Sequence, residues 1–106
     1  MPKYLWQASY SPQGTRGLKA EGGTKRMKAV EAAIRSLGGK LEAFYYAFGD
    51  TDVYLIADLP NNSSAAGAVM AVNASGASVV KTTVLLEPSE IDVACKTTLR
   101  YRPPGE

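Results

Sequence analysis

In a hairpin near the middle of the chain, apolar side chains stand at both the odd-numbered and the even-numbered positions of the two strands. Residues 41–48 are almost all apolar or aromatic, residues 49–52 favour a turn, and residues 53–57 form a second apolar run. Successive side chains of a strand point to opposite faces of the sheet. A sheet with one solvent-exposed face therefore shows a regular alternation of apolar and polar residues along each strand. The hairpin therefore predicts a sheet covered on both faces, by helices on one and by a second subunit or a ligand on the other.

Turn and cap residues divide the rest of the chain into regular elements. Apolar residues recur at helical spacing behind Thr24 and behind the polar cluster at 61–64, both of which favour helix N-termini. Glycines at 38–39 and 76 favour helix ends. In chain order the sequence predicts a strand (3–10), a short helical turn (to 18), a helix (24–37), the hairpin (41–59), a helix (65–74), a strand (78–86) and a closing helix (89–99).

The βαββαβ order favours an α+β, ferredoxin-like domain with an extra C-terminal helix. Such a domain has a four-stranded antiparallel sheet with helices on one face and with its first and third strands in the centre. Residues 1–100 are assigned to this domain. Residues 101–106 are assigned to an extended C-terminal tail, because Pro103 and Pro104 cannot continue a helix.

The alternation also sorts the strand side chains between the helix face and the opposite, open face. This assignment places Tyr4, Trp6 and Tyr10 of the first strand beneath the helices. The other positions predicted to face the helices are Leu41, Ala43, Ala47, Val53, Leu55, Ala57, Val80, Val84 and Leu86. Those predicted to lie on the open face are Gln7, Ser9, Glu42, Phe44, Tyr46, Phe48, Tyr54, Ile56, Lys81, Thr83 and Leu85.

The composition excludes several classes of protein. A chain of 106 residues suits one domain, and a net charge of +2 does not favour a nucleic-acid partner. No apolar run is long enough to cross a bilayer, and the first residues lack the features of a signal peptide. The single cysteine, Cys95, permits no internal disulfide. The expected location is the cytoplasm, with no membrane partner.

The chain contains no histidine. That excludes histidine-ligated metal sites and nucleophiles activated by histidine. Any catalysis must rely on carboxylates, lysine, tyrosine, arginine or a bound cofactor, and no motif predicts a cofactor or a metal.

Six segments of the chain resemble the GYD domain family: residues 2–5, 21–26, 38–45, 48–52, 81–85 and 101–105. The resemblance covers nearly the whole chain and implies a ferredoxin-like domain related to the dimeric α+β-barrel proteins. It implies no particular activity. Members of the family often carry a tyrosine in the hairpin signature, where this chain has Thr51 between Asp50 and Asp52.

The open face carries the candidate ligand site. Aromatic rings would form its walls, while a glutamine and a lysine would orient an oxo or carboxylate group. The same rings also suit a subunit interface. Protection of an edge strand against aggregation is an equally good explanation for an outward-pointing lysine such as Lys81. The candidate ligand-binding residues are Gln7, Tyr46, Tyr54 and Lys81. The candidate interface residues are Phe44, Phe48, Ile56 and Tyr101.

A second candidate is an anion site at the start of the predicted helix at 24. Gly22, Gly23, Lys25 and Arg26 combine free backbone N–H groups with two cations, although a plain helix start accounts equally well for the glycines. Asp50 and Asp52 are interpreted as turn residues. Cys95 is interpreted as a small buried apolar residue of the closing helix.

Three hypotheses for function follow. The first is a homo-oligomeric binding or structural module that buries its open face and holds a small organic ligand, with a dimer favoured and a trimer also compatible. The second is a cofactor-independent monooxygenase or isomerase of the dimeric α+β-barrel type. The third is a trimeric signalling-type protein. The lack of histidine and of a visible proton-transfer group favours the first.

Overall fold

The computed structural model describes residues 1–106 and contains four strands and four helices. The strands form one antiparallel sheet in the order β2-β3-β1-β4, so β1 and β3 are central. The predicted α+β, ferredoxin-like arrangement is confirmed. The elements are β1 (Lys3–Tyr10), α1 (Pro12–Glu21), α2 (Gly23–Ser36), β2 (Lys40–Tyr46), β3 (Val53–Asp58), α3 (Asn62–Ala74), β4 (Ser78–Leu85) and α4 (Pro88–Ala94).

The short helical turn predicted after β1 is a helix of ten residues, α1. Ser11 caps it by accepting a hydrogen bond from the Gly14 N–H, and Pro12 stands in the first turn, so the residues that end the strand also begin the helix. Gly14 and Gly17 lower the helix propensity of this segment, so the sequence predicts only a short helical turn. Gly14 is required by packing, because a Cβ atom there would lie 1.9 Å from the carbonyl oxygen of Ala77.

The second helix does not begin at a Thr24 cap, as the sequence predicts. Gly22 separates α1 from α2 with a φ of 93°, a backbone conformation that favours glycine, and α2 starts at Gly23 without a side-chain cap. The N–H of Gly22 donates instead to the carbonyl oxygen of Leu18, at the end of α1. The two helices are therefore joined through one glycine.

A β-bulge in β2 changes which side chains of that strand face the helices. Leu41 pairs with Ala57, but the next paired residue is Ala43, opposite Ile56, so Glu42 is the extra residue. One additional residue moves every later side chain to the other face. Phe44 consequently pairs with Leu55 on the helix face, and the faces predicted for Ala43, Phe44 and Tyr46 are wrong.

The core lies between the sheet and the helices and is small. Ten of the 106 residues are buried, and Tyr4 and Trp6 are among them, as predicted for the helix face of β1. Helix α2 packs mainly against edge strand β2 and α3 against edge strand β4. The buried apolar residues are Tyr4, Trp6, Ile34, Val53, Leu55, Ala57, Leu59 and Ala65.

Every residue from 86 to 106 is exposed. This C-terminal arm, defined as residues 86–106, includes α4, which ends at Ala94 rather than near the predicted residue 99. The protein is elongated, with extents of 57 × 33 × 23 Å and a radius of gyration of 17.1 Å. A compact chain of about 100 residues has a radius near 13 Å, so the arm projects from the domain.

Candidate functional site

Three of the four candidate ligand-binding residues lie side by side on the open face. Gln7 of β1 is paired with Tyr54 of β3 on one side and with Lys81 of β4 on the other. The hydroxyl of Thr51, from the hairpin turn, lies 3.5 Å from the Gln7 Oε1 atom. Gln7 is half-buried, whereas Tyr54 and Lys81 are exposed. The structure thus forms a polar row across three strands.

The fourth candidate, Tyr46, does not join that row. The bulge in β2 places it on the helix face opposite Val53, where its hydroxyl donates a hydrogen bond to the Gly23 carbonyl oxygen at 2.9 Å. Desolvation raises the pKa of Tyr46, an effect that the nearby Arg26 opposes. The expectation that Tyr46 shares a face with Gln7 and Tyr54 is wrong.

The candidate interface residues also separate. Phe44 lies on the helix face, edge-on to the Tyr46 ring with the ring centres 5.2 Å apart, so its placement on the open face is wrong. Ile56 lies on the open face as expected. Phe48, in the loop after β2, and Tyr101, in the arm, are both exposed. Whether any of them contacts a partner stays a prediction.

A cavity of about 600 Å³ lies on the helix face. Because α2 and α3 cover the edge strands, the space above the central strands stays open. Trp6 and Leu55 form part of the floor, Ala33 of α2 and Ala71 of α3 belong to the walls, and Leu18 of α1 belongs to one end. The volume falls within the range of small-molecule sites. No candidate ligand-binding residue lines it.

Trp6 belongs to the cavity lining. It is 6 % exposed, and its indole N–H is buried without any hydrogen-bond partner. Leaving a buried donor unpaired costs about 1–3 kcal/mol, and such groups are rare in folded proteins. The Trp6 N–H is therefore an unpaired donor enclosed by the core rather than exposed to the cavity.

The only charged residues on the cavity lining are Glu21 of α1 and Arg26 of α2, and they form an ion pair at 3.7 Å. Tyr10 of β1 lines the cavity as well, and its pKa is raised chiefly by desolvation. The α1–α2 junction is thus the polar end of a cavity whose other walls are mostly apolar.

The predicted anion site coincides with this junction. Gly22 joins the two helices, the carbonyl of Gly23 at the start of α2 accepts the Tyr46 hydrogen bond, and Lys25 is exposed. Arg26 is engaged with Glu21 rather than free. Anion binding at these residues stays a prediction.

The hairpin aspartates hold the turn against the end of β1. The Asp52 carboxylate accepts a hydrogen bond from the Tyr10 backbone N–H at 2.8 Å, and the Asp50 carbonyl accepts one from the Ser9 hydroxyl at 2.7 Å. Both residues therefore act in the turn, in line with the interpretation from sequence. No group of three or more acidic or cysteine residues is arranged to hold a metal ion, and no helix has the length and apolarity needed to cross a membrane.

Cys95 is exposed at the end of α4, so its predicted burial is wrong. The prediction assumed that α4 packs on the domain, whereas the whole arm projects. The main feature that sequence reasoning missed is the cavity. The available signals were the single tryptophan on a central strand and the many alanines of α3, which leave space beside it.

Comparison with protein-family models gives a match to the GYD domain over residues 4–95. The match covers the strands and helices of the domain from the second residue of β1 to just past the end of α4. No curated protein and no solved structure matches the chain.

Proposed function

The chain belongs to the GYD domain family, and we propose that it is a homo-oligomeric binding module that holds a small organic molecule between its sheet and its helices. The observation that carries the proposal is the cavity of about 600 Å³ above the central strands. A folded domain ordinarily fills such space with side chains. A cavity of this size with apolar walls and few polar groups is typical of a ligand site.

The open face supports the oligomeric part of the proposal. It carries Leu5, Ile56 and Leu85 beside the exposed rings of Tyr45 and Tyr54. Extended apolar patches on soluble monomers are uncommon and mark interaction sites. A second copy of the same chain offers the same face, which suits a twofold interface. A dimer is therefore favoured, and a trimer is the alternative.

The C-terminal arm supports association independently. Its apolar side chains Ile91, Val93, Leu99 and Tyr101 are 46 %, 70 %, 76 % and 67 % exposed, and none of them packs against the core of the domain. Burial of each large apolar side chain contributes about 1.5–3 kcal/mol. We propose that the arm lies across a neighbouring copy, with Tyr101 as an anchor.

Native mass spectrometry of freshly purified protein tests both parts at once. The expected result is an oligomer whose mass exceeds the sum of its chains by that of a small organic molecule. A folded monomer at micromolar concentration with no added mass would contradict the proposal. An oligomer that never retains or accepts a small molecule would leave only a structural module.

The Tyr54→Glu variant tests whether the open face is the interface between subunits. The new carboxylate would lie in the centre of the open face, and burying it without a partner is costly, so sedimentation should show dissociation. Lys25→Glu is the matched control, since Lys25 is exposed at the start of α2, away from that face. An unchanged oligomer in the Tyr54 variant would rule out the open face as the interface.

A cofactor-independent monooxygenase or isomerase is the second candidate. The observation that favours an enzyme is the mostly apolar lining of the cavity. An apolar site keeps water away from reactive intermediates. The cavity lining contains one carboxylate, that of Glu21, and this group is paired with Arg26. Binding therefore ranks first. Conversion of the co-purifying molecule by the protein in air-saturated buffer, seen as a change in its mass, would reverse that order.

A further inference from the structure

We propose that two copies of the chain pack their open faces together about a twofold axis that runs parallel to the strands, between β1 and β3. This inference rests on the oligomeric part of the proposed function and specifies its geometry, because it predicts which residue of one copy faces which residue of the other. The order of the side chains across the open face supports it, and so do the charges at one end of that face.

Strand pairing arranges the open face in three rows that contain one residue from every strand, since residues directly opposite each other in an antiparallel pair share a face. In the strand order β2-β3-β1-β4, the first row is Tyr45, Tyr54, Gln7 and Lys81, the second is Ala43, Ile56, Leu5 and Thr83, and the third is Lys40, Asp58, Lys3 and Leu85.

A twofold axis parallel to the strands sets each row against the same row of the second copy in the reverse order. The rotation turns the second sheet over, so that β3 lies opposite the partner's β1 and β2 lies opposite the partner's β4. Aligned packing of two sheets keeps their strand directions within about 30°, so the correspondence is closest at the central strands. An axis perpendicular to the strands, centred on the second row, would instead set each strand against its own copy and the first row against the third.

The central residues of the first two rows are complementary about the parallel axis. Ile56 meets the partner subunit's Leu5, which gives an aliphatic contact. Tyr54 meets the partner subunit's Gln7. The Thr51 hydroxyl donates to the Gln7 Oε1 atom at 3.5 Å, so the amide N–H groups of Gln7 remain to donate to the tyrosine hydroxyl oxygen.

The third row supplies the charge complementarity. Lys3 pairs with Asp58 of its own chain at 2.8 Å and also contacts Glu42. The parallel axis sets Asp58 of each copy against Lys3 of the other, so the two ion pairs stack head to tail and the four charges alternate. Complementary charges of this kind fix the register of an interface. The perpendicular axis would set Asp58 against the partner subunit's Tyr54, whose ring face repels a carboxylate.

The edge strands add a contact between a cation and a ring. Tyr45 is 71 % exposed and faces the partner subunit's Lys81, which is also exposed. Lys81 has no ion-pair partner in its own chain. A lysine ammonium group over a tyrosine ring is attracted by the negative face of the ring. The parallel axis therefore gives this cation a partner, whereas the perpendicular axis would set it against Leu85.

Thiol cross-linking of the full-length protein distinguishes the two axes. Cys95, the single cysteine, is first replaced by serine. The Tyr45→Cys and Lys81→Cys variants are then mixed, allowed to exchange subunits and treated with dibromobimane, which fluoresces when it bridges two thiols. We expect a fluorescent covalent dimer from the mixture. Tyr45→Cys alone should give none, because its two thiols would lie on edge strands at least three strand spacings, about 14 Å, apart.

The mixture of Tyr45→Cys with Lys40→Cys is the matched control, because only the perpendicular axis sets these two positions against each other. Lys40, Tyr45 and Lys81 are all exposed, so the substitutions should leave the domain folded, which circular dichroism checks. A covalent dimer from this control mixture instead of the first would overturn the proposed axis. A dimeric protein that gives no covalent dimer in either mixture would overturn it as well.

The strength of association provides a second measurement. Each dimer contains the Tyr45–Lys81 contact twice, so Lys81→Gln should raise the dissociation constant roughly fivefold to thirtyfold in sedimentation. Lys40→Gln is the control, since Lys40 faces the partner subunit's Leu85 and its charge has no counterpart there. Equal effects of the two substitutions would overturn the contact between Lys81 and Tyr45.

The outcomes distinguish the inference from the proposed function. A dimer that Tyr54→Glu leaves intact would overturn the inference and leave an oligomeric module with another interface. A trimer in native mass spectrometry would also overturn the twofold axis while the homo-oligomeric binding module stands. A folded monomer at micromolar concentration would contradict both.

Discussion

The hydroxyl of Tyr46 donates a hydrogen bond to the carbonyl oxygen of Gly23, which connects the end of β2 to the first residue of α2. The ring also lies close over Gly23, where a Cβ atom would be 3.0 Å from it. This contact exists only because the bulge at Glu42 turns Tyr46 toward the helices. It fixes the start of α2 beside the polar end of the cavity.

Tyr46→Phe should therefore lower the free energy of unfolding by about 0.5–1.5 kcal/mol, the usual contribution of one hydrogen bond. Chemical denaturation measures the change. Tyr45→Phe is the control, since Tyr45 lies on the open face with 71 % exposure and its hydroxyl makes no hydrogen bond to Gly23. Equal effects of the two substitutions would contradict the importance of this contact.

Two glycines of α1 should respond to alanine in opposite directions. Gly14→Ala should destabilise the protein, because the new methyl group would lie 1.9 Å from the Ala77 carbonyl oxygen and α1 would have to move. Gly17→Ala places its methyl group in open space and should stabilise the helix by roughly 0.5–1 kcal/mol. Thermal unfolding of the two variants provides the comparison, and a stabilised Gly14 variant would show that α1 does not approach Ala77 so closely.

Alkaline pH should destabilise the folded chain through its tyrosines. The pKa values of Tyr10 and Tyr46 are raised, mainly by desolvation. The unfolded chain therefore loses these protons first, and the free energy of unfolding should begin to fall near pH 10, the ordinary value for tyrosine. A variant carrying both Tyr10→Phe and Tyr46→Phe should show a flatter profile between pH 10 and 11. An identical slope would assign the alkaline transition to other groups.

Removal of residues 100–106 should weaken association while leaving the domain folded. The deleted tail is exposed and includes Tyr101, whose ring is 67 % exposed. Sedimentation should show an increased dissociation constant, and circular dichroism should show unchanged secondary structure. Replacing Tyr101 alone with serine is the narrower test. If both changes leave the oligomer intact, the tail does not contribute to the interface.

The order of the elements along the chain and the orientation of β1 could be predicted from the sequence because both depend on local pattern, and the strand order in the sheet then follows from the connection rules. Tyr4 and Trp6 alternate with half-buried residues along β1, and the turn and cap residues separate one element from the next.

The faces of β2 could not be predicted because both are apolar. A bulge is visible in a sequence when it interrupts an alternation, and Ala43, Phe44, Tyr45 and Tyr46 give no alternation to interrupt. The cavity was hidden for a different reason. It depends on α2 and α3 lying above the edge strands, and no short-range pattern in the chain reports the distance between two helices.

The bulge also makes the two faces of β2 depend on register as well as on sequence. If β2 paired without the bulge and kept Glu42, every side chain after Leu41 would exchange faces: Ala43 and Tyr45 would turn toward the helices, and Phe44 and Tyr46 toward the open face. Deleting Glu42 itself would leave those faces unchanged, because Leu41 and Ala43 already pair with the adjacent residues Ala57 and Ile56. A single extra residue thus decides which side chains of β2 belong to the cavity side and which to the opposite surface.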